Sequence, residues 1–201
     1  MHLASRGHVF WLSVALTSVF WISGEARVLA RQGDAVSVAT AMLIRGIDGN
    51  NPRLIRRAVE QGADVNALGS IGGPAKFGLT ALMIAADTDT DTVRLLLSKG
   101  AHVNYRGNLG TTALMCAATP QGNVTIVRLL LDKGAHINAK NDMGFTPLMF
   151  AASNGKLGIV RLLLSRHADV NTRGTAGFTA LTLTPKADIA IKMALQAAGA
   201  H

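Results

Sequence analysis

Three stretches of the chain carry almost the same apolar block: Val93-Arg94-Leu95-Leu96-Leu97, Ile126-Val127-Arg128-Leu129-Leu130-Leu131 and Ile159-Val160-Arg161-Leu162-Leu163-Leu164. Each is apolar on nearly every side except at its arginine. A helix of that kind has to be covered on more than one face, so neighbouring units must stack on it. Markers on either side keep the same register. Gly78-Leu79-Thr80-Ala81, Gly110-Thr111-Thr112-Ala113, Gly144-Phe145-Thr146-Pro147 and Gly177-Phe178-Thr179-Ala180 recur at intervals of 32, 34 and 33. After the blocks come Gly100-Ala101-His102-Val103-Asn104, Gly134-Ala135-His136-Ile137-Asn138 and His167-Ala168-Asp169-Val170-Asn171. The same marker stands upstream as Gly62-Ala63-Asp64-Val65-Asn66 and ends the chain as Gly199-Ala200-His201. A fixed period of this length is the mark of a repeat architecture.

One unit can be built from residues 144–171. Thr146 is an N-cap, and Pro147 just inside the helix start forfeits no needed hydrogen bond. Leu148, Phe150, Ala151 and Ala152 form a short apolar helix whose alanines permit close packing, and Asn154-Gly155 ends it. A second helix follows over Leu157 to Leu164. Gly100 and Gly134 then end their helices in the left-handed conformation. Position 167 holds histidine instead, at a cost on the order of 1 kcal/mol.

The first thirty residues are of another kind. Val9 to Ile22 is fourteen residues without a charge, preceded by Arg6. As a helix it covers roughly 21 Å, short of the roughly 30 Å hydrocarbon core. Residues 1–30 therefore read as a secretory signal peptide, cut after Ala26 or Ala30. An uncleaved anchor over residues 9–22, flanked by Trp11 and Trp21, is the alternative. In either case the repeats face the far side of a membrane.

Composition sharpens this picture. Apolar residues make up 49% of the chain and aromatics 4%, so small aliphatic side chains do the packing. The formal charge of +8 draws the chain toward acidic surfaces. The basic residues are nevertheless scattered, Arg56-Arg57 being the densest pair, so no specific nucleic-acid binding is expected. A single cysteine, Cys116, rules out an internal disulfide framework.

At Gly144-Phe145-Thr146-Pro147-Leu148-Met149-Phe150-Ala151-Ala152, Asn154-Gly155 and Ile159 to Leu164 the chain resembles the ankyrin repeat family almost residue for residue. The resemblance covers about residues 40–201. It implies an all-α solenoid of helix-turn-helix units with hairpin loops projecting sideways. The units are an N-terminal capping repeat at 34–66, inner repeats at 76–105, 108–139 and 142–172, and a C-terminal capping repeat at 175–201. Arg57 stands where inner units have leucine, and Lys192 and Gln196 make the last helix polar, as caps require. Thr184-Pro185 shortens the first helix of the last unit. Between Asn66 and Gly78 an extra Gly-rich loop, Gly69-Ser70-Ile71-Gly72-Gly73-Pro74, is inserted. The run from Asp87 to Thr92 distorts the turn of its unit.

Candidate chemistry is sparse. Asp87, Asp89 and Asp91 have the spacing of a calcium loop but lack its glycine turn and distant bidentate acid. They read as a polar turn favouring the next helix N-terminus. His102, His136 and His201 recur at one position without a carboxylate or thiolate partner, which suits loop hydrogen bonding better than a metal. Cys116 aligns with Ile84 and Phe150 and reads as a core residue. No catalytic constellation, cofactor site or metal site emerges, so no enzyme is expected.

What the resemblance implies instead is a concave binding surface made by the hairpin tips and the first helices. On this chain it maps to Arg106, Asn108, Leu109, Thr111, Lys140, Asp142, Met143, Phe145, Arg173, Thr175 and Phe178. Arg106, Lys140 and Arg173 hold equivalent places and are expected to line up as a basic stripe, with Phe145 and Phe178 exposed beside it. For any one of them the plain alternative is a solvated loop residue. Arg56, Arg94, Arg128 and Arg161 align on the second helices as a solvated back face. The expectation is an exported protein, periplasmic or secreted, that binds an acidic protein partner as a monomer and without catalysis. A membrane-tethered scaffold held by residues 9–22 is the second reading.

Overall fold

The computed structural model describes residues 37–69 and 78–201. The expected leader, its cleavage positions and residues 9–22 lie outside the described residues, as does the inserted loop beyond Gly69. Within them the chain forms five helix pairs: α1 (Val38–Asp48) with α2 (Pro52–Glu60), α3 (Ala81–Thr88) with α4 (Thr90–Ser98), α5 (Ala113–Cys116) with α6 (Val124–Asp132), α7 (Pro147–Ser153) with α8 (Leu157–Ser165), and α9 (Ala180–Leu183) with α10 (Ile189–Ala197). Two-residue strands, β1 (Leu68–Gly69) and β2 (Leu79–Thr80), pair antiparallel across the insertion. The architecture is a mostly helical solenoid.

The recurring threonine sets the start of the first helix in the last four units. Thr80, Thr112, Thr146 and Thr179 accept from the backbone N–H three residues on, at 3.2 to 3.4 Å, which satisfies one of the orphan donors of a helix terminus. The acidic run also resolves into caps. Asp89 alone separates α3 from α4, so the turn shrinks to one residue. It caps α4 by accepting from Thr92 N–H at 3.0 Å. Asp87 instead accepts from the Thr119 hydroxyl of the next unit.

Every pair contributes to one core. Leu43, Ile55, Leu82, Leu96, Leu114, Leu130, Leu148, Ile159 and Leu195 belong to a single buried cluster. On α6, Ile126, Val127 and Leu130 are fully covered, while Leu129 and Leu131 pack half-buried against the cluster. The leucine block is thus hidden from several directions at once, as the stacking requirement demands.

Polar bonds tie each unit to the next. Asn66, Asn104, Asn138 and Asn171 accept through Oδ1 from the backbone N–H of His102, His136, Asp169 and His201, at 2.8 to 3.3 Å. Asn66, Asn104 and Asn171 also donate to the carbonyls of Gly100, Gly134 and Gly199. His102 and His136 therefore serve through their backbones, with exposed side chains, while His201 also sets its ring Nδ1 3.2 Å from the Gly199 carbonyl. Arg56 departs from the expected solvated back face. Its guanidinium reaches Asp89 at 2.9 and 3.0 Å and the Thr92 hydroxyl at 3.2 Å, closing the first interface. Burial works to raise the Asp89 pKa, but the Thr92 hydrogen bonds and Arg56 outweigh it and hold the carboxyl below its usual range.

His167 sits at φ +63° where the matching glycines lie between +81° and +92°. Replacing it by glycine should stabilise the fold by about 1 kcal/mol. A shift of the urea midpoint to higher concentration checks this, and an unchanged or lowered midpoint refutes it.

Candidate functional site

The hairpins between units are built on short backbone bonds. Gly107 donates to Thr111 at 2.8 Å, Asn141 to Phe145 at 3.0 Å and Gly174 to Phe178 at 2.8 Å. Two of the tips are single 3-10 turns, Asn108–Gly110 and Thr175–Gly177, with Leu109 and Ala176 at φ +54° and +60°. Neighbouring hairpins are laced together. Asp142 N–H donates to the Leu109 carbonyl at 2.9 Å, and Thr175 gives both its N–H and its hydroxyl to the Met143 carbonyl at 2.8 and 2.7 Å. The tips consequently present their side chains from a fixed backbone, which lowers the ordering cost of binding.

Leu109, Met143 and Phe178 are 59%, 45% and 43% exposed, one apolar side chain on each of three successive hairpins; Leu109 and Met143 hold equivalent tip positions, whereas Phe178 stands two residues past the tip residue Ala176. Asn108 is exposed beside them, while Thr111 is half-buried. Phe145 does not stand free as expected. Its ring lies edge-on to Phe150 and Phe178, with both centroid separations 6.4 Å. A Cβ at Gly174 would come within 2.6 Å of it. It is a pillar of the hairpin layer rather than an exposed anchor.

The basic stripe also changes character. Arg106 pairs with Asp142 at 3.1 Å and donates to the Lys140 carbonyl, so its charge is spent between hairpins. Lys140 is exposed and helps to hold the Asp169 carboxyl below its usual range, behind the larger contributions of the Thr172 hydroxyl and the Asn171 N–H. Arg173 is exposed and makes no ion pair among the described residues. Outside the second helices and their caps, Arg45, Arg106, Lys140, Arg173 and Lys186 are matched in number by Asp48, Asp64, Asp87, Asp142 and Asp169. The basic excess of the described chain lies on the second helices.

Burial, aided by the Asp87 carboxylate, pushes the Cys116 thiol up to about 12, so it stays protonated and a poor nucleophile at neutral pH. Among the described residues no group of three His, Cys, Asp or Glu could hold a metal ion. Among them too, no helix is long and apolar enough to cross a membrane.

Sequence reasoning missed two features, one hidden and one with a signal it did not use. Arg106 and Asp142 are 36 positions apart, one period plus two, a diagonal that aligning equivalent positions hides. The asparagine clamps had a visible signal, since Asn66, Asn104, Asn138 and Asn171 close the four full-length markers. A family model of ankyrin repeats, in three copies, matches residues 43–141 and 108–174. No curated protein matches the chain.

Proposed function

The chain belongs to the ankyrin repeat family, whose repeats generally mediate protein–protein interaction, and from that membership we propose an exported, non-catalytic module that binds a protein partner across its hairpin tips. The observation that carries this reading is the exposure of Leu109, Met143 and Phe178, one on each of three successive hairpins locked by backbone bonds. Exposed apolar side chains held rigidly are the usual anchors of an interface. The partner would be a protein segment with apolar side chains for these three and a carboxylate or two for Lys140 and Arg173. That is a narrower role for charge than a three-residue stripe would give. Export rests on the apolar run over residues 9–22 and would place the monomeric module in the periplasm or outside the cell.

The test is capture of native envelope proteins by the full chain and by two variants. Leu109→Asn with Met143→Gln should weaken retention of the captured partner at least about tenfold. Lys140→Glu with Arg173→Glu should weaken it several-fold, with the far-ultraviolet helix signal intact in both. Leu109 is replaced by Asn because that residue tolerates the left-handed backbone there. Equal retention by all three proteins would remove the hairpin tips as the binding face.

A further inference from the structure

We propose that the second-helix side, opposite in role to the hairpins, is a docking surface for an anionic lipid bilayer. Arg94, Arg128 and Arg161 hold the same position on α4, α6 and α8. These helices pack one against the next, which spaces the three side chains by roughly 10 Å. All three are exposed, and none makes an ion pair among the described residues. The acids close to them on these helices are few. Asp91 lies one turn before Arg94, and Asp132, one turn after Arg128, is taken by Arg166 at 3.0 Å. Over the second helices and their caps, basic residues outnumber acidic ones by more than two to one.

The same row ends on aliphatic side chains. On α10 the position of the arginines is occupied by Met193, and Ile189 stands one turn before it. They are 64% and 66% exposed, more than Leu109, Met143 or Phe178. The polar end cap expected from Lys192 and Gln196 is thus only partial: Lys192 is half-buried and donates to the Lys186 carbonyl, leaving the apolar pair outermost. A row of cations running into uncovered hydrocarbon matches the boundary between lipid phosphates and acyl chains, where long basic side chains keep their heads in the phosphates and their stems in the apolar layer. A nucleic acid is a poorer match, because binding single strands draws on aromatic stacking and the five second helices carry no aromatic residue.

Sedimentation of the full chain with vesicles tests this, comparing phosphatidylcholine with and without one-third phosphatidylserine. Residues 9–22 could enter either membrane, so the readout is the preference for the anionic vesicles. Each arginine at a charged surface contributes about fivefold in partition, so Arg94→Gln, Arg128→Gln and Arg161→Gln together should cut binding to anionic vesicles about a hundredfold. Ile189→Gln with Met193→Gln should reduce the binding that survives high salt. Lys140→Glu with Arg173→Glu should leave the preference in place, which separates this face from the hairpin tips. No preference in the wild type, or a preference that outlasts the triple substitution, overturns the proposal. Tighter binding to immobilised poly-glutamate than to anionic vesicles of equal surface charge would assign the row to an acidic protein and overturn the lipid surface equally.

Discussion

Leu130→Ala is expected to lower the stability of the stack by about 3 kcal/mol, the range set by emptying a closed leucine site. Leu130 is wholly covered on α6, a helix that packs against the second helices of the units on either side. Its backbone carbonyl, which receives Ala135 N–H at 2.9 Å and closes the helix end, is untouched by the change. The loss is therefore a cavity and nothing else. Because α6 sits in the central unit, a void there weakens two interfaces at once, whereas Leu43 in the first pair has a neighbouring unit on one side only. In urea the midpoint should fall with little change of slope if the five pairs melt together. The melting temperature should fall by about 10 °C. A cost under about 1 kcal/mol would mean that the units do not close over one another at this position, and the shared core would have to be abandoned.

That core was legible because its cause is local and repeated. The leucine blocks, the threonine caps and the markers after them recur in register, and each states one requirement that only stacking meets. The lengths of the helices were less legible. Shortening was foreseen at α9, where Pro185 stands. Pro120 does the same after α5, which stops at Cys116 and passes through a turn in which a Cβ on Gly122 would collide with the Ala117 carbonyl. The strand pair at Leu68–Gly69 and Leu79–Thr80 had no sequence signal, since two residues cannot show alternation.

The candidate site was legible in position and not in character. Aligning units shows which residues share a column, and so Arg106, Lys140 and Arg173 looked like one stripe. The side chains answer to diagonal neighbours instead. Arg106 reaches forward to Asp142, and Phe145 turns onto Gly174 because that position has no Cβ to keep the ring away. The same limit applies to Arg56, which shares a column with three free arginines but alone faces Asp89. Column arithmetic thus recovers the fold and misses the pairings: on the hairpin side Arg106 is matched by Asp142, while Arg94, Arg128 and Arg161 on the second helices make no ion pair among the described residues.

Asn141→Ala is expected to cost about 2 kcal/mol, a large price for a loop residue. Asn141 is buried, and its Oδ1 accepts from Met143 N–H at 3.1 Å and Phe145 N–H at 2.8 Å. The equivalent positions are Gly107 and Gly174, whose hairpins use a left-handed Leu109 or Ala176 at the tip. Met143 keeps a negative φ because the asparagine carries the turn. Alanine leaves two donors without an acceptor, or forces residue 143 into the left-handed form its neighbours adopt. Both outcomes move the Met143 carbonyl, which receives Thr175 twice. Amide exchange at Thr175 should accelerate along with the fall in urea midpoint, and capture of the partner should weaken with them. Asn141→Asp keeps an acceptor at the same place and should recover most of the loss. An alanine variant as stable as the wild type, with Thr175 equally protected, would show that the lacing between hairpins holds the tip without it.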